Sequence, residues 1–172
     1  MTADTLPPGS RPLSDEIAEG TPIDQGQADQ LFNLQSFFPY LVRVFYSDVT
    51  SALASIYTQD HGLTPSEWRT MAILGEHGRM PATEIVERSS MDKVSVSRSV
   101  KKMHDRGLLE KADHAQDGRS SLLFLSAAGR AAYRDIVPKV LAVEQKMLTG
   151  ISEEEFRMFL SVMRKVRDNL KD

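Results

Sequence analysis

Asp92-Lys93-Val94-Ser95-Val96-Ser97-Arg98-Ser99-Val100-Lys101-Lys102-Met103-His104-Asp105-Arg106-Gly107 decides the fold. Asp92 is a good N-cap residue and Gly107 a good helix stop, so a helix is expected between them. Val96, Val100 and Met103 stand at i, i+4 and i+7 and form its inward face. Lys93, Ser95, Ser97, Arg98, Lys101 and Lys102 leave the remainder polar and basic. Past Gly107 the period changes. Leu108–Asp113 and Ser121–Ser126 read as short strands. Between them, His114-Ala115-Gln116-Asp117-Gly118-Arg119-Ser120 carries an Asp-Gly turn signal. A basic helix is thus followed at once by a hairpin with a polar tip.

Upstream, Thr64-Pro65-Ser66-Glu67 reads as a capping box with proline at the first helical position. Leu63 and Trp68 fall at the positions of a hydrophobic staple. That helix runs through Leu74 and stops near Gly78. A short helix over 82–89 follows Pro81, with Ile85 and Val86 inward. Three short helices and a hairpin describe a winged helix-turn-helix, mainly α with a small β-hairpin wing. In such a module the second helix of the turn enters the major groove, about 12 Å wide.

Ser95, Ser97 and Arg98 then lie where side chains reach base edges, and arginine binds guanine O6 and N7 with two hydrogen bonds. Lys101 and Lys102 are placed for phosphates, beside Lys93 at the helix start. Arg119 at the hairpin tip suits the narrow minor groove, with Asp117 holding its guanidinium or shaping the turn. Exposed Ser, Lys and Arg are also what any solvated helix face shows. The hairpin in the right order favours DNA. A winged helix used only for protein contact is the alternative.

Further out, Leu41, Val42, Phe45, Val49, Ala52, Leu53 and Ile56 mark an amphipathic helix from about Pro39 to Asp60, some 33 Å long. Leu31, Leu34, Phe37 and Phe38 fit a short turn or helix before it. Ser126 caps a helix over 127–147, with Tyr133, Ile136, Val137, Val140, Val143 and Met147 on its apolar side and Pro138 as an expected kink. Ser152 and Glu155 form a second capping box, and Ile151 and Phe156 a second staple. Phe156, Phe159, Leu160, Met163 and Val166 follow as a stripe. These stripes exceed what one small winged-helix core can bury, which points to a partner. Residues 1–26 hold four of the eight prolines and no apolar period, and read as a disordered arm.

The 172 residues are 41% hydrophobic and 26% charged, which is globular composition. Cysteine is absent, excluding disulfides and thiolate metal sites. No run approaches the roughly 20 apolar residues of a membrane helix, and no basic-then-apolar leader opens the chain, so a cytoplasmic location is expected. There is no glycine-rich phosphate loop. His61, His77, His104 and His114 are scattered without metal-ligand spacing. Ser99-Val100-Lys101-Lys102 matches S-x-x-K by chance, without companion motifs. Neither an enzyme, a cofactor nor a metal is expected.

The stretches Leu63-Thr64-Pro65-Ser66-Glu67-Trp68-Arg69, Glu84-Ile85-Val86, Val96-Ser97-Arg98-Ser99-Val100, Arg106-Gly107-Leu108-Leu109, Asp117-Gly118-Arg119 and Leu125-Ser126-Ala127-Ala128-Gly129 together resemble the MarR family of bacterial transcription regulators. Their order and spacing carry the resemblance, which covers about 38–171 with the flanking helices. Trp68-Arg69 and Met91–Arg98 look most like members that control aromatic-acid breakdown. The resemblance implies an obligate homodimer on double-stranded DNA, usually a repressor. It implies a 27–62 dimerisation helix, a 63–126 DNA-binding domain and 127–172 dimerisation helices. It also implies release of DNA by a small aromatic or carboxylate effector. For that effector Phe38, Arg43, Tyr46, Trp68 and Arg69 are the candidates: arginine for a carboxylate, rings for stacking. Core packing and surface ion pairs are the alternative roles for these five. Ser99 departs from the usual apolar residue, so looser packing is expected there. Lys111 stands near a usual arginine, keeping charge without the fork.

Net charge is −3, which argues against a nucleic-acid partner. Its distribution argues otherwise. Residues 79–119 carry nine Lys/Arg against seven acids, a net +2, and the rest carries 12 against 17, a net −5. Screening beyond about 8–10 Å means that DNA responds to the local face.

Overall fold

The computed structural model describes residues 32–113 and 121–171. Along them run α1 (Phe38–Gln59), α2 (Pro65–His77), β1 (Met80–Pro81), α3 (Ala82–Ser89), α4 (Lys93–Asp105), β2 (Leu109–Asp113), β3 (Ser121–Leu125), α5 (Ala127–Met147) and α6 (Glu153–Asp168). The expected arm at 1–26 and the hairpin tip with Asp117 and Arg119 lie outside the described residues.

Capping chemistry sets the helix starts. Thr64 accepts from the Glu67 amide while the Glu67 carboxylate accepts from the Thr64 amide, and Ser152 and Glu155 repeat the arrangement. Gly62, Gly78, Gly107 and Gly150 adopt positive φ at the ends of segments. At φ 69 Gly107 turns the chain from α4 into β2, a conformation that a Cβ would strain. The first long helix begins at Phe38, one residue before the expected Pro39. α5 runs on as one helix through Pro138.

The sheet has the order β1-β3-β2, all antiparallel. β2 and β3 pair from Leu109↔Leu125 to Asp113↔Ser121. The expected hairpin is there, and a third strand is added. Met80 and Pro81 pair with Leu123 and Leu122. A two-residue strand ending in proline shows no alternation and has no period to read.

Leu63, Met71, Met80, Ile85, Val96, Met103, Leu109 and Ile136 are almost wholly buried and tie α2, α3, α4, the sheet and α5 into one core. Ser99 is buried in this packing. Ser126 links wing and α5: its hydroxyl donates to the Gly107 carbonyl at 2.6 Å and accepts from the Gly129 amide at 3.0 Å. A Cβ on Gly129 would stand 2.0 Å from the Leu108 carbonyl oxygen, so only glycine lets α5 approach the wing this closely.

By internal contacts the chain divides into Met1–Ser51 and Ala52–Asp172, a division that falls inside α1. In the first unit, Phe38, Leu41, Val42 and Phe45 are exposed and Phe32 meets Phe37 edge-on at 5.2 Å. In the second, α6 buries none of its residues, and Phe156, Met158, Phe159, Leu160, Val162 and Met163 are all exposed.

Candidate nucleic-acid interface

α4 has one face locked and one face open. Val96, Ser99, Val100 and Met103 are buried. At about 100° per residue, Val94, Ser97, Arg98 and Lys101 share the opposite side. All four are exposed. Among the described residues, no hydrogen bond or ion pair engages the side chains of Lys93, Ser97 or Arg98. An unengaged guanidinium on a rigid helix is ready for a ligand without first breaking an internal bond.

The other sequence-derived candidates have internal partners. Asp92 caps α4 by accepting from the Ser95 amide at 2.8 Å and from the Ser95 hydroxyl at 2.6 Å. Those bonds, the hydroxyl first, hold the Asp92 carboxyl below its ordinary pKa. Ser95 is therefore part of the cap and only half-exposed. Lys101 pairs with Asp105 one turn on, at 2.8 Å. That bond raises the Lys101 pKa and lowers that of Asp105. Lys102 lies 4.0 Å from Glu67. It sits on the flank of α4 rather than at the centre of the open side.

Glu67 is only 3% exposed, and the capping box explains half of its surroundings. The other half is Arg106, at the end of α4, 3.6 Å from the Glu67 carboxylate. Arg106 also donates to the carbonyls of Gly62, at 3.0 Å, and His61, at 2.5 Å. One guanidinium thus satisfies carbonyls in the turn after α1 and a buried carboxylate at the start of α2. It orients α4 at its C-terminal end as Asp92 does at its N-terminal end. Beside this, His61 meets Asp135 at 2.8 Å, and Lys139 bridges Asp135 and Asp60 at 2.8 and 3.0 Å. The Lys139 bond, then the His61 bond, depress the Asp135 pKa.

Sequence reasoning missed Val94 and the Arg106 anchor. Val94, 56% exposed, is out of phase with Val96, Val100 and Met103, and that phase was the available signal. Arg106 joins segments more than 40 residues apart, which no local pattern marks.

The effector candidates fall in both units. Phe38, Arg43 and Tyr46 are exposed on α1 within the first. Trp68 and Arg69 are half-buried on α2 in the second. Trp68 is the middle of three stacked rings, 6.0 Å from Tyr57 and 6.3 Å from Tyr133. Among the described residues no cluster of His, Asp or Glu could hold a metal, and no helix is long and apolar enough to cross a membrane.

A helix-turn-helix with an open, cationic second helix, backed by a three-stranded wing sheet, defines a winged-helix DNA-binding protein. The family model for MarR proteins matches residues 61–120. The HTH-type transcriptional regulator MhqR of Bacillus subtilis is 27% identical over 111 residues, covering 64% of this chain and 77% of its own. A MarR-family regulator from Silicibacter pomeroyi superposes with a TM-score of 0.65 at 26% identity, over 80% of this chain and 92% of that one. BpsR of Bordetella bronchiseptica, whose structure is described as showing regulation of DNA binding by 6-hydroxynicotinic acid, shares the fold. Its TM-score is 0.71 at 20% identity, over 80% of this chain and 97% of its own. Over residues 61–120 the chain carries the winged helix-turn-helix of the MarR family of transcriptional regulators. It is a DNA-binding regulator whose chemistry is recognition, not catalysis.

Proposed function

We propose that this regulator is a cytoplasmic repressor that binds a pseudo-palindromic operator as a homodimer, with α4 of each copy in the major groove. The carrying observation is the open side of α4, where Val94, Ser97 and Arg98 are exposed on a helix whose other side is fixed in the core. Arg98 reads guanine, Val94 packs on a thymine methyl, and Ser97 bonds either base. Lys93, Lys101 and Lys102 serve phosphates, Lys101 and Lys102 by exchanging their carboxylate partners for DNA. Ser95 keeps Asp92 in place. Arg119 and Asp117 form the minor-groove end of the wing.

The second copy covers the apolar side of α6 and the exposed start of α1, apolar surface of a kind that soluble monomers rarely leave in water. Two-fold symmetry then sets half-sites about one helical turn, roughly 34–36 Å, apart. An aromatic or carboxylate effector held by Phe38, Arg43, Tyr46, Trp68 and Arg69 releases the DNA. It must bind the released state more tightly than the DNA-bound one. The relatives named above support this reading by their described functions. Gel-shift titration of Arg98→Ala and Arg119→Ala on genomic promoter fragments tests it. Each is expected to weaken binding, with Arg98→Ala also relaxing sequence preference. Unchanged affinity for the two substitutions together would sink the reading.

A further inference from the structure

A groove of about 340 Å³ opens between the end of α2, strand β3 and the first turns of α5. Its floor is apolar, from Leu74, Leu125 and the rings of Phe124 and Tyr133. Arg79, Arg130 and Arg134 stand around it. Among the described residues no carboxylate lines it and none of the three arginines pairs with one. The Arg79 guanidinium lies 4.4 Å from the centre of the Phe124 ring. Arg130 donates to the Leu125 carbonyl and so keeps its head at the rim. Glycine at 75 makes room: a Cβ there would stand 2.5 Å from the Tyr133 ring. The volume is within the range of small-ligand sites, and an apolar floor with a few fixed polar groups is their usual build.

The geometry points to a second ligand site in this groove, for a phosphate monoester with a flat apolar body. Three guanidiniums without a counter-charge favour a dianion, and their forked donors match phosphate oxygens two at a time. The floor takes the ring, which stacks on Phe124 or Tyr133. This site shares no residue with the effector candidates except through the Tyr133–Trp68 stack. Occupying it acts on β3, the wing strand paired to both β1 and β2. The same chemistry has a second source, the DNA backbone, which also offers phosphate.

Phenyl phosphate is the probe, with inorganic phosphate and phenol as its separated halves. Trp68 is the sole tryptophan and lies 6.3 Å from Tyr133, so its emission reports the groove. A saturable change with phenyl phosphate is expected, with about tenfold or more weaker binding of either half. Arg134→Gln is expected to weaken the probe about tenfold, the effect of losing one charged hydrogen bond, and Arg134→Lys less. Arg79→Gln should add to it. In the absence of probe all three variants should hold DNA as the wild type does. Equal probe affinity in wild type and Arg134→Gln overturns the site. So does no saturable change, or inorganic phosphate binding as tightly as the ester. Loss of DNA affinity by the variants alone, with a shallower salt dependence, assigns the arginines to DNA phosphates and also overturns it. Because the probe titration needs no DNA, its failure is separate from any failure of the operator reading.

Discussion

The winged-helix lobe and the last helix differ in what they do with apolar side chains. Between Leu63 and Leu125 the large apolar residues are mostly inside, and Leu63, Met71, Met80, Ile85 and Met103 are nearly inaccessible. In α6 the same residue types recur at helical spacing, and none of them is buried. Both segments are strongly capped: Thr64 and Glu67 begin the lobe and Ser152 and Glu155 begin α6 with the same reciprocal bonds. Local helix signals therefore do not distinguish a self-sufficient element from one that needs a partner. Burial does. The lobe buries its apolar side chains within one copy, whereas α6 leaves its apolar side open, as half of an interface does.

The largest effect should come from placing charge on the open side of α6. Leu160→Glu with Met163→Glu is expected to yield monomers by sedimentation with the lobe still folded. DNA affinity should fall by about 100-fold or more, because two linked recognition helices gain that much from effective concentration. A dimer that persists would break the comparison. Gly129→Ala attacks the lobe instead. Its methyl meets the Leu108 carbonyl, and the expected cost is about 3 kcal/mol or more, read as a lower thermal midpoint. Arg98→Ala should leave stability unchanged and cost about 1–3 kcal/mol of specific binding, with less discrimination at one base pair of each half-site. Val94→Ala should cost less, about 0.5–1 kcal/mol for one thymine contact, read by fluorescence anisotropy on matched and mismatched duplexes.

The smallest effect concerns pH. The Asp92 carboxyl titrates lower when folded than when unfolded, so its contribution is complete above the ordinary value of 3.8. It is lost as the pH falls through the still lower folded value. The difference in thermal midpoint between wild type and Asp92→Ala should therefore be constant from about pH 8 to about pH 5 and shrink below about pH 4. A difference that grows on acidification would contradict the cap.

Much of the lobe was legible because its signals are local. Asp92 and Gly107 bracket α4 within a residue or so, and the phase of Val96, Val100 and Met103 orients it. β1 was not legible, since Met80-Pro81 is shorter than any period. Nor was the second role of Glu67. Its place in the capping box follows from spacing, but its burial beneath Arg106 depends on a contact across 39 positions. The open side of α4 was legible in Ser97 and Arg98, both of which are exposed. The bond from the Ser95 hydroxyl to Asp92 was not legible, because a serine three residues after a cap can face either way. The groove beside β3 draws on three separated segments, each of which reads alone as ordinary surface.

The central claim is that two copies present two α4 helices to one duplex. Selection of bound fragments from a random duplex library with the full-length chain tests it most directly. The account predicts an enriched pseudo-palindrome whose half-site centres lie about one helical turn, 10–10.5 base pairs, apart. Enrichment of a single asymmetric site, or of no site at low salt, would contradict it.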